Sequence, residues 1–433
     1  MDRKYKDSGI EWIGRIPKTW EVAAIKNLFS LFAGATPKSD EPENWDGEIP
    51  WITPADYQTE DMYISGGKRT ISHKGLDSCA TTLLPANSII FSKRAPIGLV
   101  IMNANPLCTN QGCMGCVPKD STISKYFYFS MSVFTEQFEL FGAGTTFKEI
   151  SAANFGNFIL PVPPLSEQHF IADYLDEKCG EIDSLIGLQE QMIEKLKAYK
   201  QSVITEAVTK GLDPNAKLVP SGIDWIGEIP EGWKVIKTKY IADKIFKGNG
   251  ITKDEVFVDG DTPCVRYGEI YTKYNQAFKT CFSATNIDIQ KSPQLFHYGD
   301  ILCAGTGELV EEIGKSIVYL GSQECLAGGD IIVIQHHQNP SFLNYALNSN
   351  YAQTQKSRGK AKLKVVHISA FEIGSTFILL PPLTEQQTIA SYLDEKCADV
   401  DRLIALKQQK IDSLKKYKKS VIYEVVTGKT IIE

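Results

Sequence analysis

Two residue clusters in the sequence have types and spacing that could hold a metal ion. Cys113 and Cys116 have the Cys-x-x-Cys spacing of zinc and redox sites, and His336 and His337 are adjacent. No second Cys or His pair stands at a metal-site distance from the cysteines. Adjacent residues of a strand point to opposite faces, which suits a shared metal badly. The sequence therefore predicts structural thiols and no metal site.

Two other clusters could belong to a cofactor site. Residues 304–308, Ala-Gly-Thr-Gly-Glu, have two of the glycines of a dinucleotide-binding loop, but no helix pattern follows them. Residues 339–342, Asn-Pro-Ser-Phe, resemble the Asn-Pro-Pro-aromatic element of amino-methyltransferases, but lack its second proline and a preceding glycine-rich strand. We interpret the first as a tight turn and the second as the start of a helix. Catalysis by this chain has little support.

Basic residues suggest nucleic-acid binding as a different kind of chemistry. The 433-residue chain has a net charge of −6, which argues against coating nucleic acid through bulk charge. Local basic runs remain at Lys93-Arg94 and at residues 356–364, where Lys or Arg falls on every second position. The alternative for such runs is a solvated strand edge.

These residues lie in two copies of one sequence unit. Residues 163–210 return as residues 381–428, with Glu385 following Glu167, and Cys397 following Cys179, by 218 positions. Residues 8–22 return as residues 221–235, 213 positions later. Each copy therefore has a Trp-bearing segment, a variable middle, a Pro-Pro step and a long repeated stretch.

The repeated stretch predicts a long amphipathic helix. Ser166 and Thr384 follow Pro-Pro-Leu as candidate N-caps, and apolar residues then recur at steps of three and four. One stripe is expected to pack against the sister helix: Leu185, Leu188, Met192, Leu196, Tyr199, Val203 and Ala207, with Leu403, Leu406, Leu414, Tyr417, Val421 and Val425. A second stripe remains for a partner protein: Ile182, Ile186, Ile193, Val400, Ile404 and Ile411.

The expected fold class is α+β. Short apolar runs with Pro, Gly and Asn between them predict β-rich middles, each with a short helix, after Ser124 and after Pro340. The expected strands are residues 49–57, 87–91 and 98–102 in the first middle and 262–271, 298–305, 315–320 and 328–335 in the second. Since the second helix must return to bury its stripe, the helices should run antiparallel and relate two globular domains by a pseudo-twofold axis. The predicted domains are residues 1–162, 163–210 (helix), 211–380, 381–428 (helix) and a tail at 429–433.

The chain resembles the DNA-specificity subunit of type I restriction-modification enzymes. The resemblance rests on the duplicated Pro-Pro-Leu-Ser/Thr-Glu-Gln helix starts, the Gly-Ile-Glu/Asp-Trp-Ile-Gly segments, Gly-Ala-Thr-Pro at 34–37, Thr-Asn-Gln-Gly-Cys at 109–113 and Gly-Thr-Thr-Phe-Lys at 144–148. The second middle lacks a clear counterpart of the 34–37 and 109–113 motifs. It has residues 357–369 in place of the segment around 144–148.

The resemblance implies that each middle is a target recognition domain reading one half of a bipartite, asymmetric DNA site. The helices would set the gap between the halves and dock two methyltransferase (M) subunits. This chain would bind no cofactor; S-adenosylmethionine would belong to the methyltransferase partner, and ATP and Mg to a possible nuclease partner with two restriction (R) subunits. Candidate DNA contacts are Thr36, Lys38, Lys93, Arg94, Thr145, Thr146, Lys148, Lys247, Arg266, Tyr267, Lys273, Arg358, Lys360, Lys362 and Lys364.

Two other function classes stay open at this stage. A stand-alone DNA-modifying enzyme would need cofactor and catalytic loops that the sequence does not offer. A coiled-coil protein scaffold would explain the helices, but not two large middles with basic loops. The ten scattered cysteines, with no apolar run long enough for a membrane span, predict a cytoplasmic protein with reduced thiols.

Overall fold

The chain folds into two compact units that divide both long helices between them. The structure is a computed structural model and describes residues 4–57, 61–94, 96–142, 148–223, 226–248, 250–251, 253–257, 260–287, 294–307, 309–360 and 366–432. Unit 1 comprises Met1–Gln189 and Gln409–Glu433, and unit 2 comprises Glu190–Gln408.

Unit 1 is built from short strands, short helices and parts of the two long helices. Its strands are β1 Tyr5–Asp7, β2 Arg15–Pro17, β3 Glu21–Ala24, β4 Phe29–Ala33, β5 Trp45–Ile52, β6 Tyr63–Ile64, β7 Arg69–Ile71, β8 Ile89–Ser92, β9 Val100–Asn103, β10 Cys108–Thr109, β11 Cys113–Pro118 and β12 Ile159–Val162. Its helices are α1 Ile25–Leu28, α2 His73–Asp77, α3 Ser124–Ser132, α4 Thr135–Leu140 and α5 Ala152–Asn157, with the start of α6 Leu165–Lys210 and two 3-10 turns, Pro42–Asn44 and Pro54–Tyr57.

Unit 2 repeats this order of elements with additions. Its strands are β13 Leu218–Pro220, β14 Glu228–Pro230, β15 Lys234–Lys237, β16 Ala242–Lys247, β17 Val256–Phe257, β18 Thr262–Val265, β19 Ala277–Phe278, β20 Ser283–Thr285, β21 Leu295–Phe296, β22 Ile301–Ala304, β23 Thr306–Gly307, β24 Ser316–Tyr319, β25 Cys325–Ala327, β26 Ile331–His336, β27 Val366–His367 and β28 Phe377–Leu380. Its helices are α7 Tyr267–Thr272, α8 Pro340–Asn348, α9 Asn350–Lys356, α10 Ala370–Ser375 and most of α11 Leu383–Val426, with 3-10 turns at Thr238–Tyr240, Lys253–Glu255 and Val310–Glu312.

The main sheets of the two units have the same topology. The strand order is β4-β11-β8-β9-β6 in unit 1 and β16-β26-β22-β24-β19 in unit 2. In both sheets the last strand pairs in parallel and the others pair antiparallel. The inner strands β8 and β22 are runs of residues that are 0% exposed, which is typical of a strand covered on both faces. The variable middles therefore share one β framework.

A second sheet shows the same relation between the units. Strands β10, β5 and β7 form a three-stranded sheet in unit 1, and β25, β18 and β20 repeat it in unit 2 with β17 and β21 added at its edges. In each unit the first of these pairs is parallel and the second is antiparallel. The two middles therefore share a second sheet as well as the main one.

The repeated Pro-Pro-Leu-Ser/Thr-Glu-Gln motif ties each long helix to its own unit. Trp20 Nε1 donates to Glu167 Oε2 at 2.7 Å, and in the second copy Trp233 Nε1 donates to Glu385 Oε2 at 3.0 Å. The glutamine that follows accepts a hydrogen bond from the backbone N–H just before the short helix, Ile123 in unit 1. The motif is therefore a clamp between the Trp-bearing segment, the short helix and the long helix.

The helix predictions at the two repeats are confirmed, with one correction. Helices α6 and α11 span 46 and 44 residues, and α3 and α8 lie where short helices were predicted. Ser166 and Thr384 are not N-caps, because the helices already begin at Leu165 and Leu383. The carbonyl of Pro164 accepts the first helical hydrogen bond, from Gln168 N at 3.0 Å, so a Ser or Thr cap is not required.

Within each unit the two long helices are joined by an equivalent ion pair. Lys418 Nζ lies 2.7 Å from Asp183 Oδ1 in unit 1, and Lys200 Nζ lies 2.7 Å from Asp401 Oδ1 in unit 2. Both residues of the second pair are repeat counterparts of the first, 218 positions away. In each unit an early part of one helix thus meets a late part of the other, which is the antiparallel arrangement expected from the sequence.

One prediction made on the second middle is wrong, and one alternative for its basic run does not fit the structure. Residues 262–271 were expected to form one strand, but β18 ends at Val265 and α7 begins at Tyr267. The Arg266 N–H donates to Glu269 Oε2 at 3.1 Å, which satisfies a backbone donor at the start of this helix. Residues 356–364 do not begin as a strand edge either, since Lys356 is the last residue of α9 and is buried.

Candidate nucleic-acid interface

In unit 1 three chain segments meet around the turn at Asn110–Gly112, and we call them the unit 1 loop cluster: residues 34–38, 93–94 and 148–149 together with this turn. The Ala35 N–H donates to the carbonyl of Thr109 at 3.0 Å, and the Lys93 N–H donates to the carbonyl of Gly112 at 2.8 Å. The Thr36 hydroxyl donates to Gln111 Oε1. Backbone pairing between the ends of strands therefore positions these side chains.

Gly34 permits the closest of these approaches. A Cβ added to Gly34 would lie 2.1 Å from the carbonyl oxygen of Asn110, which no side chain tolerates. The Gly-Ala-Thr-Pro motif thus has a packing reason, because only glycine lets the 34–38 segment lie against the turn. The exposed hydroxyl of Thr36 is placed by this contact.

Two cations of the unit 1 loop cluster share one carboxylate. Lys93 Nζ lies 3.4 Å from Glu149 Oε1, and an Arg94 guanidinium nitrogen lies 3.9 Å from Glu149 Oε2. The Arg94 side chain is 40% exposed, whereas that of Lys93 is only 11% exposed. One carboxylate against two cations leaves local positive charge, and the neighbouring Lys148 is exposed. Arg94 and Lys148 are therefore the cations here that an anionic ligand can reach.

Unit 2 has an equivalent unit 2 loop cluster with different side chains, formed by Gly248, residues 305–306, residues 328–330 and His367. The Gly305 N–H donates to the carbonyl of Asp330 at 2.7 Å, as Lys93 does to Gly112. Gly248, like Gly34, could not carry a Cβ, which would lie 2.3 Å from the carbonyl oxygen of Gly328. The 34–37 and 109–113 motifs therefore do have structural counterparts in the second middle, although their residue types differ.

Polar side chains of this cluster line a cavity of about 460 Å³. Lys247 Nζ lies 3.2 Å from Asp330 Oδ1, and Thr306 Oγ1 is 3.1 Å from His367 Nδ1. At the rim, Lys360 pairs with Glu372 at 2.7 Å and also donates to the carbonyl of His367. Burial favours a raised pKa for Glu372, but hydrogen bonds from Lys360 and Ser369 outweigh it and lower the pKa. Glu372 therefore stays ionised and holds Lys360 in place.

Arg266 lies beside the same turn. The Gly328 N–H donates to the carbonyl of Val265 at 2.8 Å, which brings the 328–330 turn against the residue before α7. Unit 1 has the same arrangement, since the Asn110 N–H donates to the carbonyl of Ile52 at 3.0 Å. The Thr53 N–H donates to Asp56 Oδ2 at 2.8 Å, as the Arg266 N–H does to Glu269. Tyr267 follows Arg266 and is 39% exposed. Arg266 and Tyr267 thus extend the unit 2 loop cluster.

Other candidate contacts lie apart from these clusters or outside the described residues. Lys38 is exposed and pairs with Glu41 at 3.2 Å, Lys273 lies over the ring of Phe282 at 4.3 Å, and Arg358 is exposed just after α9. Thr145, Thr146, Lys362 and Lys364 fall outside the residues that the structure describes. The candidates that the structure brings together are therefore Thr36, Lys93, Arg94 and Lys148 in unit 1, and Lys247, Arg266, Tyr267 and Lys360 in unit 2.

Sequence reasoning missed the polar partners of these cations. Glu149, Asp330 and the carbonyl of His367 were not singled out, although each holds a candidate cation, namely Lys93, Lys247 and Lys360. Gln111 lay within a motif that was noted, but its bond to Thr36 spans 75 positions and has no local signal. Glu149 and His367 could have been noticed as equivalent positions of the repeat, because they are 218 residues apart.

The clusters weighed for metal and cofactor chemistry have structural roles. Cys113 and Cys116 are buried in β11, and burial raises the pKa of Cys113 to about 12, so it stays a neutral thiol. His336 is half-buried with a pKa lowered to about 4 by burial, while His337 pairs with Asp243 at 3.2 Å. Among the described residues no group of three or more His, Cys, Asp or Glu could hold a metal ion. None of the described helices has both the length and the apolar character needed to cross a membrane.

The stripe predicted to bind a partner is buried instead. Ile182, Ile186, Ile193, Val400 and Ile411 are 3–7% exposed, and Ile404 is half-buried. The stripe expected to be buried includes the exposed residues: Leu185 47%, Leu188 51%, Met192 45%, Tyr199 56%, Leu403 46%, Leu406 54% and Tyr417 52%. The stripe that packs inward is the one rich in β-branched residues. The long-helix surface open to a partner is therefore the exposed part of the other stripe, since Ala207, Leu414 and Val425 of that stripe are buried.

Comparison with known proteins gives the family of this framework. The family described as the type I restriction modification DNA specificity domain matches twice, over residues 17–198 and 230–416. The chain belongs to this family. Its two matches contain both loop clusters, and the sequence resemblance to specificity (S) subunits is thereby confirmed.

Named relatives of this specificity subunit are found in archaea and bacteria. The MjaIX specificity subunit of Methanocaldococcus jannaschii is 35% identical over 263 residues, which is 59% of this chain and 59% of that subunit. The MjaVIII specificity subunit of the same organism is 24% identical over 96% of this chain and 94% of its own length.

Solved structures share the fold. A chain from a structure of the type I restriction-modification system, described for complex assembly and conformational transition, has a TM-score of 0.71 at 14% identity. That match covers 96% of this specificity subunit and 99% of the other chain. The HsdS subunit of Thermoanaerobacter tengcongensis has a TM-score of 0.50 at 16% identity. The expected class, two repeated α+β domains with long helices, is confirmed.

Proposed function

We propose that this specificity subunit reads a bipartite, asymmetric DNA site, with unit 1 reading one half and unit 2 the other. The observation that carries the proposal is the pair of loop clusters, which stand on the same strand ends but present different side chains. Unit 1 offers Thr36, Arg94 and Lys148, whereas unit 2 offers Lys247 and Arg266. Arg and Lys on loops are suited to guanine edges and phosphates. Two equivalent loop clusters with different side chains would read two different DNA sequences.

The domain limits of the sequence prediction remain part of this proposal. Target recognition would belong to residues 1–162 and 211–380, and spacing and docking to residues 163–210 and 381–428. Thr145, Thr146, Lys362 and Lys364 stay predicted contacts on the same grounds as their neighbours in sequence. Lys38, Lys273 and Arg358 stay predicted contacts as well, since their exposed side chains suit phosphates outside the base-reading loops.

The chain would act without catalysis of its own. In this proposal a methyltransferase partner carries S-adenosylmethionine and modifies an adenine of the site, and a nuclease partner, where it is present, uses ATP and Mg. The assembly would work in the cytoplasm.

Methyltransferase docking is assigned to the exposed apolar residues of the long helices. Unit 1 exposes Leu185, Leu188 and Tyr417, close in sequence to its Asp183–Lys418 pair, and unit 2 exposes their counterparts Leu403, Leu406 and Tyr199. Exposed apolar clusters of this kind mark protein contacts. Two equivalent surfaces fit two copies of one partner.

The reading of half-sites is tested by mapping and then mutating. Methylated adenines in the genome of the source cell, compared with a deletion of this gene, would give both half-sites and their gap. Gel shifts of the purified chain, with and without the methyltransferase subunit, would then use that duplex and versions with either half scrambled. Arg94→Ala should reduce the penalty for scrambling one half, and Arg266→Ala the penalty for the other, each by ~1–3 kcal/mol. A methylation pattern unchanged by the deletion would refute the proposal.

The docking proposal has its own test. Leu185→Asp with Leu188→Asp should remove one methyltransferase copy in native mass spectrometry, and adding Leu403→Asp with Leu406→Asp should remove the second. Leu140→Asp, at a leucine that is 84% exposed but lies on α4, is the matched control and should keep both copies. Two copies retained in the fourfold variant would contradict the assignment.

The gap between half-sites is expected to depend on helix length. Inserting four residues after Leu185 adds about one helical turn, or ~6 Å. The mapped gap should then lengthen, or methylation should cease where the sister helix cannot follow. An unchanged gap would show that the helices do not set the spacing.

A further inference from the structure

Unit 2 contains a buried lysine behind its loop cluster. Lys356 is 3% exposed at the end of α9, and its Nζ donates to the carbonyls of Gly314 at 2.8 Å and Leu347 at 2.9 Å. Burial lowers the pKa of Lys356 from 10.5 to about 8. Burying an ammonium is unfavourable unless its hydrogens find acceptors, and here two backbone carbonyls serve.

Unit 1 fills the equivalent place with an aromatic ring. Phe138 precedes Lys356 by 218 positions and is 0% exposed. Its ring centroid lies 4.7 Å from that of Phe91 on β8 and 5.9 Å from that of Phe155 on α5. The corresponding strand and helix of unit 2, β22 and α10, contribute Cys303 and Ile373. The framework therefore accepts an apolar residue at this position.

The lysine supplies directed bonds that a phenylalanine cannot. Its two acceptors belong to separate segments: Leu347 is in α8, and Gly314 is in the turn between β23 and β24. Gly314 has φ +62, and the position of an added Cβ would lie 3.0 Å from both Lys356 Cδ and Ile373 Cδ1. The lysine thus holds the turn through its hydrogen bond to Gly314. Its side chain and the positive φ together favour glycine at position 314.

The turn leads directly into the unit 2 loop cluster. The Tyr271 hydroxyl is 2.9 Å from the carbonyl of Thr306 and 3.0 Å from that of Glu312, so it bridges the start and the middle of the 306–315 segment. Thr306 in turn bonds His367, which follows the segment that starts at the end of α9. Lys356 therefore contacts the turn that follows Thr306 and ends the helix that precedes residues 357–360, and both lead to the unit 2 loop cluster.

We infer that Lys356 is a positioning residue for the reading of the second half-site, holding residues 309–315 and residues 357–360 in the arrangement that meets DNA. This rests on the proposed function, in which unit 2 reads one half of the site. Lys356 would touch no base. It would act through Thr306, His367 and the loop residues beside them.

The test is a cycle between protein variants and half-sites. Gel shifts of the full chain with its methyltransferase subunit would compare the mapped duplex with duplexes scrambled in either half. For Lys356→Met, which keeps the apolar stem, the penalty for scrambling the second half should fall at least tenfold, and the penalty for the first half should be unchanged. Lys197→Met, at a side chain 58% exposed on α6, is the matched control and should leave both penalties unchanged.

A second variant keeps the test decisive if Lys356→Met does not fold. Gly314→Ala disturbs the same contact from the turn and should produce the same selective loss. Penalties that fall equally for both halves, or that do not fall at all, in the folded variants would overturn the inference. If the wild-type complex itself ignores scrambling of the second half, the proposed function fails, and the two failures are thereby distinguished.

Discussion

The two units differ in the core residues that pack behind their loop clusters, between the main sheet and the short helices. Unit 1 packs Phe91, Phe138, Phe155 and Phe158 there, with the rings of Phe138 and Phe158 only 4.0 Å apart. Unit 2 has Cys303, Lys356, Ile373 and Thr376 at the matching positions. One core is held by ring packing, which is strong but has little direction, and the other by hydrogen bonds to named carbonyls. The same fold can therefore support its reading loops in two physically different ways.

The largest expected effect is on the aromatic core of unit 1. Phe138→Ala should lower the stability of unit 1 by ~3–5 kcal/mol, because it opens a cavity among rings that cannot collapse into it. Hydrogen–deuterium exchange read separately for the two units would measure this, with unit 2 amides as the internal reference. A loss below about 1 kcal/mol would mean that the ring cluster is not what holds this loop cluster.

The close approach at Gly34 should matter somewhat less. Gly34→Ala places a methyl 2.1 Å from a backbone oxygen, so the 34–38 segment must move, at ~1–3 kcal/mol. Gly250→Ala is the matched control, since nothing lies within 4 Å of its added Cβ. Gly34→Ala should lower the melting temperature and weaken binding to the first half-site. Gly250→Ala should change neither quantity. Equal behaviour of the two variants would contradict the packing argument.

The interhelical ion pairs should differ between units by a smaller amount. Asp401 accepts from Lys200 and also from Asn275 Nδ2 at 3.1 Å, whereas no such amide bond is described for Asp183. Asp401→Ala is therefore expected to destabilise unit 2 by ~1–2 kcal/mol and Asp183→Ala to destabilise unit 1 by roughly half as much. Exchange rates of α6 amides in each unit are the measurement. The reverse order would refute the role of Asn275.

Near neutral pH the smallest effect concerns Lys356, and this effect grows as the pH rises. Its pKa is about 8 in the folded chain and 10.5 ordinarily, so between these values the unfolded chain binds more protons and the unfolding free energy rises with pH. Relative to Lys356→Met, the unfolding free energy of wild-type unit 2 should rise by up to ~1.4 kcal/mol per pH unit in this window. Between pH 7 and 8 it should rise by less. Burial raises the pKa of Cys303, the thiol facing Lys356, to about 12, so this thiol stays neutral through the window in the wild-type protein. Parallel profiles of the two proteins would show that Lys356 does not titrate as described.

Sequence reasoning succeeded where a signal was local or repeated. The long helices, the short helices α3 and α8 and half of the main-sheet strands (β8, β9, β22, β24 and β26) follow from periodicity, proline placement and apolar runs. The candidate sites were recovered only in part. Arg94 and Arg266 lie at the loop clusters. Lys356, which looked like one more residue of a basic run, is buried, and the carboxylates that hold the cations were missed. Lysine burial depends on acceptors at Gly314 and Leu347, which no local pattern of basic residues reveals.

The sequence by itself determined that this protein is a duplicated specificity subunit with two long helices and two diverged middles, because a repeat in constant register imposes the same elements twice. The tertiary structure decided which stripe of each helix is buried, since two apolar stripes at the same period are equivalent until a neighbouring surface takes one of them. It also decided that Gly248 and Gly34 are counterparts. The two glycines are alike because each lies against the backbone of a neighbouring turn. The residue types around them differ, so the sequence does not reveal the likeness.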